Sequence, residues 1–264
     1  MSLELRRRLM VQAEPKDIII DARKGGVSGD AANDAALMDV IYAQKWSKSP
    51  NYMTKREAEK VTDIGTAFRW NTNITNFDAL KYFTSLTSIG SNAFNGCSNI
   101  TLTSLPENIT SIGANAFSGC TKLALTSLPS DITNIGDSAF KSCSNITLTS
   151  LPSGITRIYA TTFNGCIKLA LTSLPENITS IGSYAFGGCS NITLTSLPEN
   201  VTSIGHSTFN GCTKITDIKI LNTSQMITSA LDMFTSNPTI RVPNSLLAEY
   251  QADTYWSTYT LVGY

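Results

Sequence analysis

Apolar and polar positions along this chain recur every 23 residues, a period too long for one helix face or strand and too short for a domain. Phe94, Phe117, Phe140, Phe163, Phe186 and Phe209 hold one apolar position. Three residues after each comes Cys97, Cys120, Cys143, Cys166, Cys189 or Cys212. Ile112, Ile135, Ile158, Ile181 and Ile204 close short β-branched runs such as Ile109-Thr110-Ser111-Ile112, which favour extended backbone. Leu102, Leu125, Leu148, Leu171 and Leu194 are each followed three residues later by a second leucine and then by proline, which has no N–H for a ladder. The pattern predicts two short strands per coil and a tight corner at Phe-x-Gly-Cys. A unit this small cannot bury a core alone, so the expected fold is a β-rich repeat solenoid whose coils cover one another.

Such an array needs closed ends. Asp63-Ile64-Gly65-Thr66-Ala67-Phe68 imitates the repeat but stands 25 residues before Ile89 and lacks the cysteine. Downstream, Ile227 keeps the period, whereas Phe234 and Pro238 leave it. The expected organisation is a helical docking or capping segment over 1–60, the solenoid over 61–236 with regular coils from about 86 to 217, and a C-terminal cap over 237–264. A helix is expected from Asp30 to Trp46 behind a glycine-rich loop at 25–30, and another near 245–251. Tyr255, Trp256 and Tyr259 read as a plug for the last coil.

Charge adds little, because 20 basic residues balance 20 acidic ones and nothing global favours nucleic acid or an anionic membrane. The apolar stretch behind Arg6, Arg7 and Arg8 is too short for a signal peptide, and no segment is long enough to span a bilayer. Six cysteines held at one position inside an apolar set predict buried thiols. Disulfides between neighbouring coils are the alternative, since coils ~4.8 Å apart lie within bonding reach. The cysteine gaps are too wide for structural zinc, and no cofactor is expected. The single histidine, His206, occupies a position filled elsewhere by Ser91, Ala114, Asp137, Ala160 and Ser183, which reads as exposed surface without catalytic partners.

A second rhythm of two coils overlies the first. The position two after cysteine alternates Asn99, Lys122, Asn145, Lys168, Asn191 and Lys214. Lys122, Lys168 and Lys214 would form a row, with the periodic Thr103, Thr126, Thr149, Thr172 and Thr195 beside it as a possible ligand face.

The unit Ile-Thr-Ser-Ile-Gly-x-x-Ala-Phe-x-Gly-Cys followed by a Leu-Pro stretch resembles the BspA-type leucine-rich repeats of bacterial surface proteins and of some phages, across about residues 61–236. The resemblance implies a leucine-rich-repeat solenoid that binds host protein or glycan, with no catalytic residues. Trp46 to Lys60 resembles a helix-loop-helix that precedes such repeats and carries a calcium-type loop in some relatives. Here the loop aspartates and glycine are missing and Glu57 stands alone, so no metal site is expected. Family members work outside cells while no leader is visible here. Display on a virion or cell surface is therefore expected, with Arg6, Arg7 and Arg8 as the anchor to a larger assembly. A structural or cytoplasmic scaffold is the alternative.

Overall fold

A computed structural model of the chain describes residues 17–23, 30–229 and 232–264. The anchor residues Arg6, Arg7 and Arg8 and the glycine-rich stretch at 25–29 lie outside the described residues.

The chain is a solenoid of about eight turns, and the phenylalanines are its axis. Phe68, Phe94, Phe117, Phe140, Phe163, Phe186, Phe209 and Phe234 form one continuous stack with ring centroids 5.2–5.7 Å apart and planes within 13° of parallel. Each ring is buried, so a 23-residue step returns the same side chain to the same place one coil further on. Phe68 and Phe234 hold their places although their sequence spacing is irregular. The extra residues are absorbed outside the stack, because ring burial constrains the position of the phenylalanine and not the length of loop leading to it.

The corner after each ring turns through left-handed backbone. Gly96, Gly119, Gly165, Gly188 and Gly211 have φ of 75–79°, and Ser142 takes the same place at 61°. Glycine suits this position because it has no Cβ to oppose a positive φ. The cysteine that follows is buried in every coil and unpaired, as the buried-thiol reading expects.

The strand expectation is corrected. Inner coils carry one two-residue strand each: β3 (Ser88–Ile89), β4 (Ser111–Ile112) and β5 (Asn134–Ile135), joined in parallel, and β6 (Arg157–Ile158), β7 (Ser180–Ile181) and β9 (Ser203–Ile204), joined likewise in a second ladder. The leucine stretch becomes a strand only late, where β8 (Ser196–Leu197), β10 (Asp217–Ile220), β12 (Thr239–Val242) and β13 (Thr260–Gly263) form a four-stranded sheet in the order β13-β12-β10-β8. Leu102 and Leu105 are both buried. Residues three apart point to opposite faces of a strand, so the chain must bend between them to bury both. In β10, Ile218 and Ile220 stand two apart, and the strand period is satisfied.

Both ends are sealed by aromatics. Upstream, β1 (Ile18–Asp21) pairs antiparallel with β2 (Tyr52–Thr54), a hairpin-like element that the sequence reading does not anticipate. The helix α1 (Ala31–Ala43) follows Asp30, whose carboxylate accepts from the Ala32 and Asn33 N–H groups. Buried Asn33 ties α1 to the first coil by donating to the Asn76 carbonyl and accepting from the Thr75 and Asn76 N–H groups. Trp46 packs 5.9 Å from Phe68 and closes the stack. The loop that the helix-loop-helix resemblance places at 47–52 leads into the strand β2, and only a four-residue helix, α2 (Lys55–Ala58), follows it. Downstream, α3 (Leu247–Ala252) and Trp256 cover the last coil, and Tyr259 meets Phe234 edge-on at 85°.

Candidate interaction surfaces

The cysteine column lies in the interior and is hydrogen-bonded from coil to coil. Each thiol donates to the carbonyl oxygen of the phenylalanine one coil earlier, at 2.8–3.1 Å from Cys97–Phe68 through Cys212–Phe186. Burial pushes Cys97 up to about 11 and Cys212 up to about 12, and raises the four thiols between them as well. A thiol held protonated is a poor nucleophile and a poor metal ligand. Among the described residues no cluster of three or more His, Cys, Asp or Glu is placed to hold a metal ion. Glu57 is lowered, because hydrogen bonds and the Lys48 charge outweigh the effect of its burial. Its carboxylate accepts from the Thr54 N–H, the Thr54 hydroxyl and the Lys48 N–H, so it caps α2.

The asparagines of the repeat have structural work. Asn99, Asn145, Asn177 and Asn200 each donate a side-chain N–H to a backbone carbonyl of the preceding coil at 2.8–3.1 Å, and Asn108 does so to Leu86.

The surface divides into two long sides. On the leucine side, Thr103, Thr126, Thr149, Thr172 and Thr195 are all exposed, and so are Lys122, Lys168 and Lys214. The Lys214 ammonium donates to Asn191 Oδ1 at 2.8 Å, so the lysine and asparagine of successive coils meet across one coil step. Ile167, 51% exposed, adds an apolar side chain next to Lys168.

The isoleucine side carries a feature that sequence reasoning missed. At Gly113, Gly136, Gly182 and Gly205 the glycine after the strand isoleucine is demanded by close approach: a Cβ on Gly136 would come 2.7 Å from the Ala114 nitrogen, and one on Gly182 would come 2.5 Å from that of Ala160. Tyr159 stands where the other five regular coils have Gly90, Gly113, Gly136, Gly182 or Gly205. Gly113, Gly136, Gly182 and Gly205 each donate to an isoleucine of the preceding coil at 2.7–2.8 Å. Among the described residues Tyr159 has no such bond to Ile135. The ladder breaks there into β3-β4-β5 and β6-β7-β9-β11, the last strand being Thr228–Ser229. A groove of about 320 Å³ opens on this side, lined by Asp137, Arg157, Tyr159, Ser180, Ser183 and Ser203 among others. The Arg157 guanidinium carbon lies 5.3 Å from the Tyr159 ring centroid. The signal was legible as the one large residue in a column of glycines.

His206 is not the exposed position expected of it. It is partly buried, with Nε2 3.2 Å from the Tyr184 hydroxyl and 3.1 Å from the Ser207 hydroxyl. The tyrosine of the preceding coil covers it edge-on.

A profile of the BspA-type leucine-rich repeat region matches six copies, over residues 62–189 and 135–251. This chain belongs to that family. Three solved structures resemble this BspA-type protein in fold. A leucine-rich cell surface protein from Faecalibacterium prausnitzii is 23% identical, with 61% of this chain and 60% of that one covered and a TM-score of 0.42. A leucine-rich repeat protein of T. pallidum is 24% identical, with coverages of 64% and 81% and a TM-score of 0.48. One from Bacteroides ovatus is 26% identical, with coverages of 70% and 56% and a TM-score of 0.46. The BspA-type chain thus spans under two thirds of the Faecalibacterium and Bacteroides proteins. No curated protein matches it. No helix among its described residues is long and apolar enough to cross a membrane.

Proposed function

We propose that this is a non-enzymatic adhesion or binding protein displayed on a cell surface or a phage virion, which recognises host protein or glycan through the solenoid. The observation that carries the reading is the contrast between a buried interior repeated from coil to coil and exposed columns of threonine on every coil and lysine on every second coil. A flat, regular surface suits an extended ligand better than a small substrate. Membership of a family of surface repeat proteins supports the same reading. The N-terminal arginines Arg6, Arg7 and Arg8 would anchor the chain to its assembly.

Retention of the labelled full chain on films of mucin and of extracellular-matrix protein tests the reading. Retention is expected on at least one film, with a loss of about tenfold when Lys122, Lys168 and Lys214 are all changed to Glu. Retention on neither film, with a solution mass that shows higher assembly abolished by R6E/R7E/R8E, would replace adhesion with a purely structural scaffold.

A further inference from the structure

Near-identical coils make departures conspicuous, and on the isoleucine side the large ones gather in one place. Small residues occupy these positions upstream: Ser88, Gly90 and Ser91 in one coil, Ser111, Gly113 and Ala114 in the next. The corresponding positions further along bring Asp137, Arg157 and Tyr159, which stand on two successive coils and line the groove, and His206, which lies beyond it. Tyrosine and arginine are the residue types that concentrate binding energy at recognition surfaces. Tyr159 also replaces a glycine required by close packing, at the expense of the backbone ladder to Ile135. A residue that interrupts the backbone ladder where it stands, and lines a groove there, points to a role outside the array.

We infer that the groove lined by Asp137, Arg157, Tyr159, Ser180, Ser183 and Ser203 is a binding site for a neutral, extended oligosaccharide. The inference rests on the binding reading above and adds to it a second site, on the side of the solenoid away from the lysine and threonine columns.

Three features favour sugar over peptide. First, the groove crosses from the Asp137 coil to the Ser203 coil, so a ligand in it runs across the strands and not along the edges of β5 and β6 at the break, the direction a strand-adding peptide would need. Second, polar groups recur at one coil step: Ser180 and Ser203 are equivalent residues, and each coil advances the lining by ~4.8 Å, close to the advance of one residue in an extended β-1,4-linked pyranose chain. Third, the charged pair is suited to hydroxyl groups. Asp137 accepts and Arg157 donates, and among the described residues neither forms a salt bridge. The two charges cancel, which favours no net charge on the ligand. Tyr159 supplies an apolar ring with a polar tip beside them, suited to the C–H face of a pyranose.

The test uses full chain and calorimetric titration with hexamers and trimers of β-1,4-glucan and β-1,4-mannan. Binding of at least one hexamer is expected, tenfold or more tighter than its trimer because the groove spans several coils. Y159F should keep the affinity within about threefold. Y159G, which restores the residue the other coils use and so keeps the fold, should lose at least tenfold, and D137N should lose a similar factor. Failure of every hexamer to bind, or equal binding by Y159G, overturns the inference. If the chain still adheres to a mucin or matrix film in that event, the adhesion reading stands without this site. If it adheres to neither, both fall.

Discussion

The Cys143 thiol donates to the Phe117 carbonyl oxygen 3.0 Å away and one coil upstream. The relationship repeats in all six regular coils, so the thiol column is a hydrogen-bond seam down the solenoid. Buried, protonated thiols react slowly. The native protein should therefore show almost no colour with a thiol-disulfide reagent at pH 8, and six equivalents in urea. Rapid native labelling of Cys143 would contradict the seam.

The same burial sets an alkaline limit. An unfolded cysteine releases its proton near pH ~8.5, whereas the folded thiols hold theirs well above that. The folded state then binds more protons than the unfolded one. This contribution to stability is intact below the unfolded pKa and is lost as pH rises through and above it. Each cysteine contributes a slope of about 1.4 kcal/mol per pH unit. The melting temperature should be flat around neutrality and fall steeply between about pH 9 and 10.5. C143A should show a shallower alkaline fall than the parent.

Removing one ring from the stack tests how far the coils depend on their neighbours. Phe140 lies between Phe117 and Phe163 at 5.5 and 5.6 Å. F140A should cost about 3–5 kcal/mol through lost burial and the cavity left behind. Because each coil touches only the next, the damage should also divide the array. Urea unfolding followed by circular dichroism should change from one transition to two. A single transition with the parental midpoint would show that the stack is not the source of cohesion.

Tyr159 and Gly182 occupy equivalent positions and should respond in opposite directions. G182A places a Cβ 2.5 Å from the Ala160 nitrogen, against backbone that cannot swing aside, and should destabilise by about 1–3 kcal/mol. Y159G permits the coils on either side to close and the Ile135 carbonyl to gain its partner. It should raise the denaturation midpoint in spite of glycine's entropy cost, by about 1 kcal/mol net.

The solenoid, its phenylalanine and cysteine columns and its aromatic ends were legible because a strict period turns sequence position into spatial position. The second strand was misread because Leu102 and Leu105 suggest extended chain by composition, while their spacing of three requires a bend. The β1–β2 pair escaped because nothing periodic marks it, although Ile18-Ile19-Ile20 is a strand-forming run. The threonine and lysine columns were placed on the surface from their period alone. The groove was missed because the repeat was read for what recurs, and Tyr159 is informative only as an exception.

The C-terminal plug offers the sharpest separation of burial from hydrogen bonding. Tyr250 and Trp256 are both buried, cross edge-on at 4.9 Å, and clamp one residue: the Tyr250 hydroxyl oxygen accepts from the Ile227 N–H at 2.9 Å, while the Trp256 indole N–H donates to the Ile227 carbonyl at 3.0 Å. Ile227 keeps the 23-residue beat in sequence but stands just before β11, where Thr228 pairs with Ser203 and Ser229 with Ile204, and both of its backbone groups are bonded by the cap. Y250F keeps the ring and strands the N–H, which should cost about 1–3 kcal/mol. W256A also empties the plug, and burial loss alone should cost about 3–5 kcal/mol. It uncovers Phe209, Phe234 and Ile240 as well, the residues that line the apolar space beneath Trp256. W256A should therefore lower the melting temperature more than Y250F and, unlike it, should self-associate on gentle heating as measured by light scattering. Equal melting temperatures for the two variants would mean that Ile227 is held by its hydrogen bonds and that the aromatic plug adds nothing.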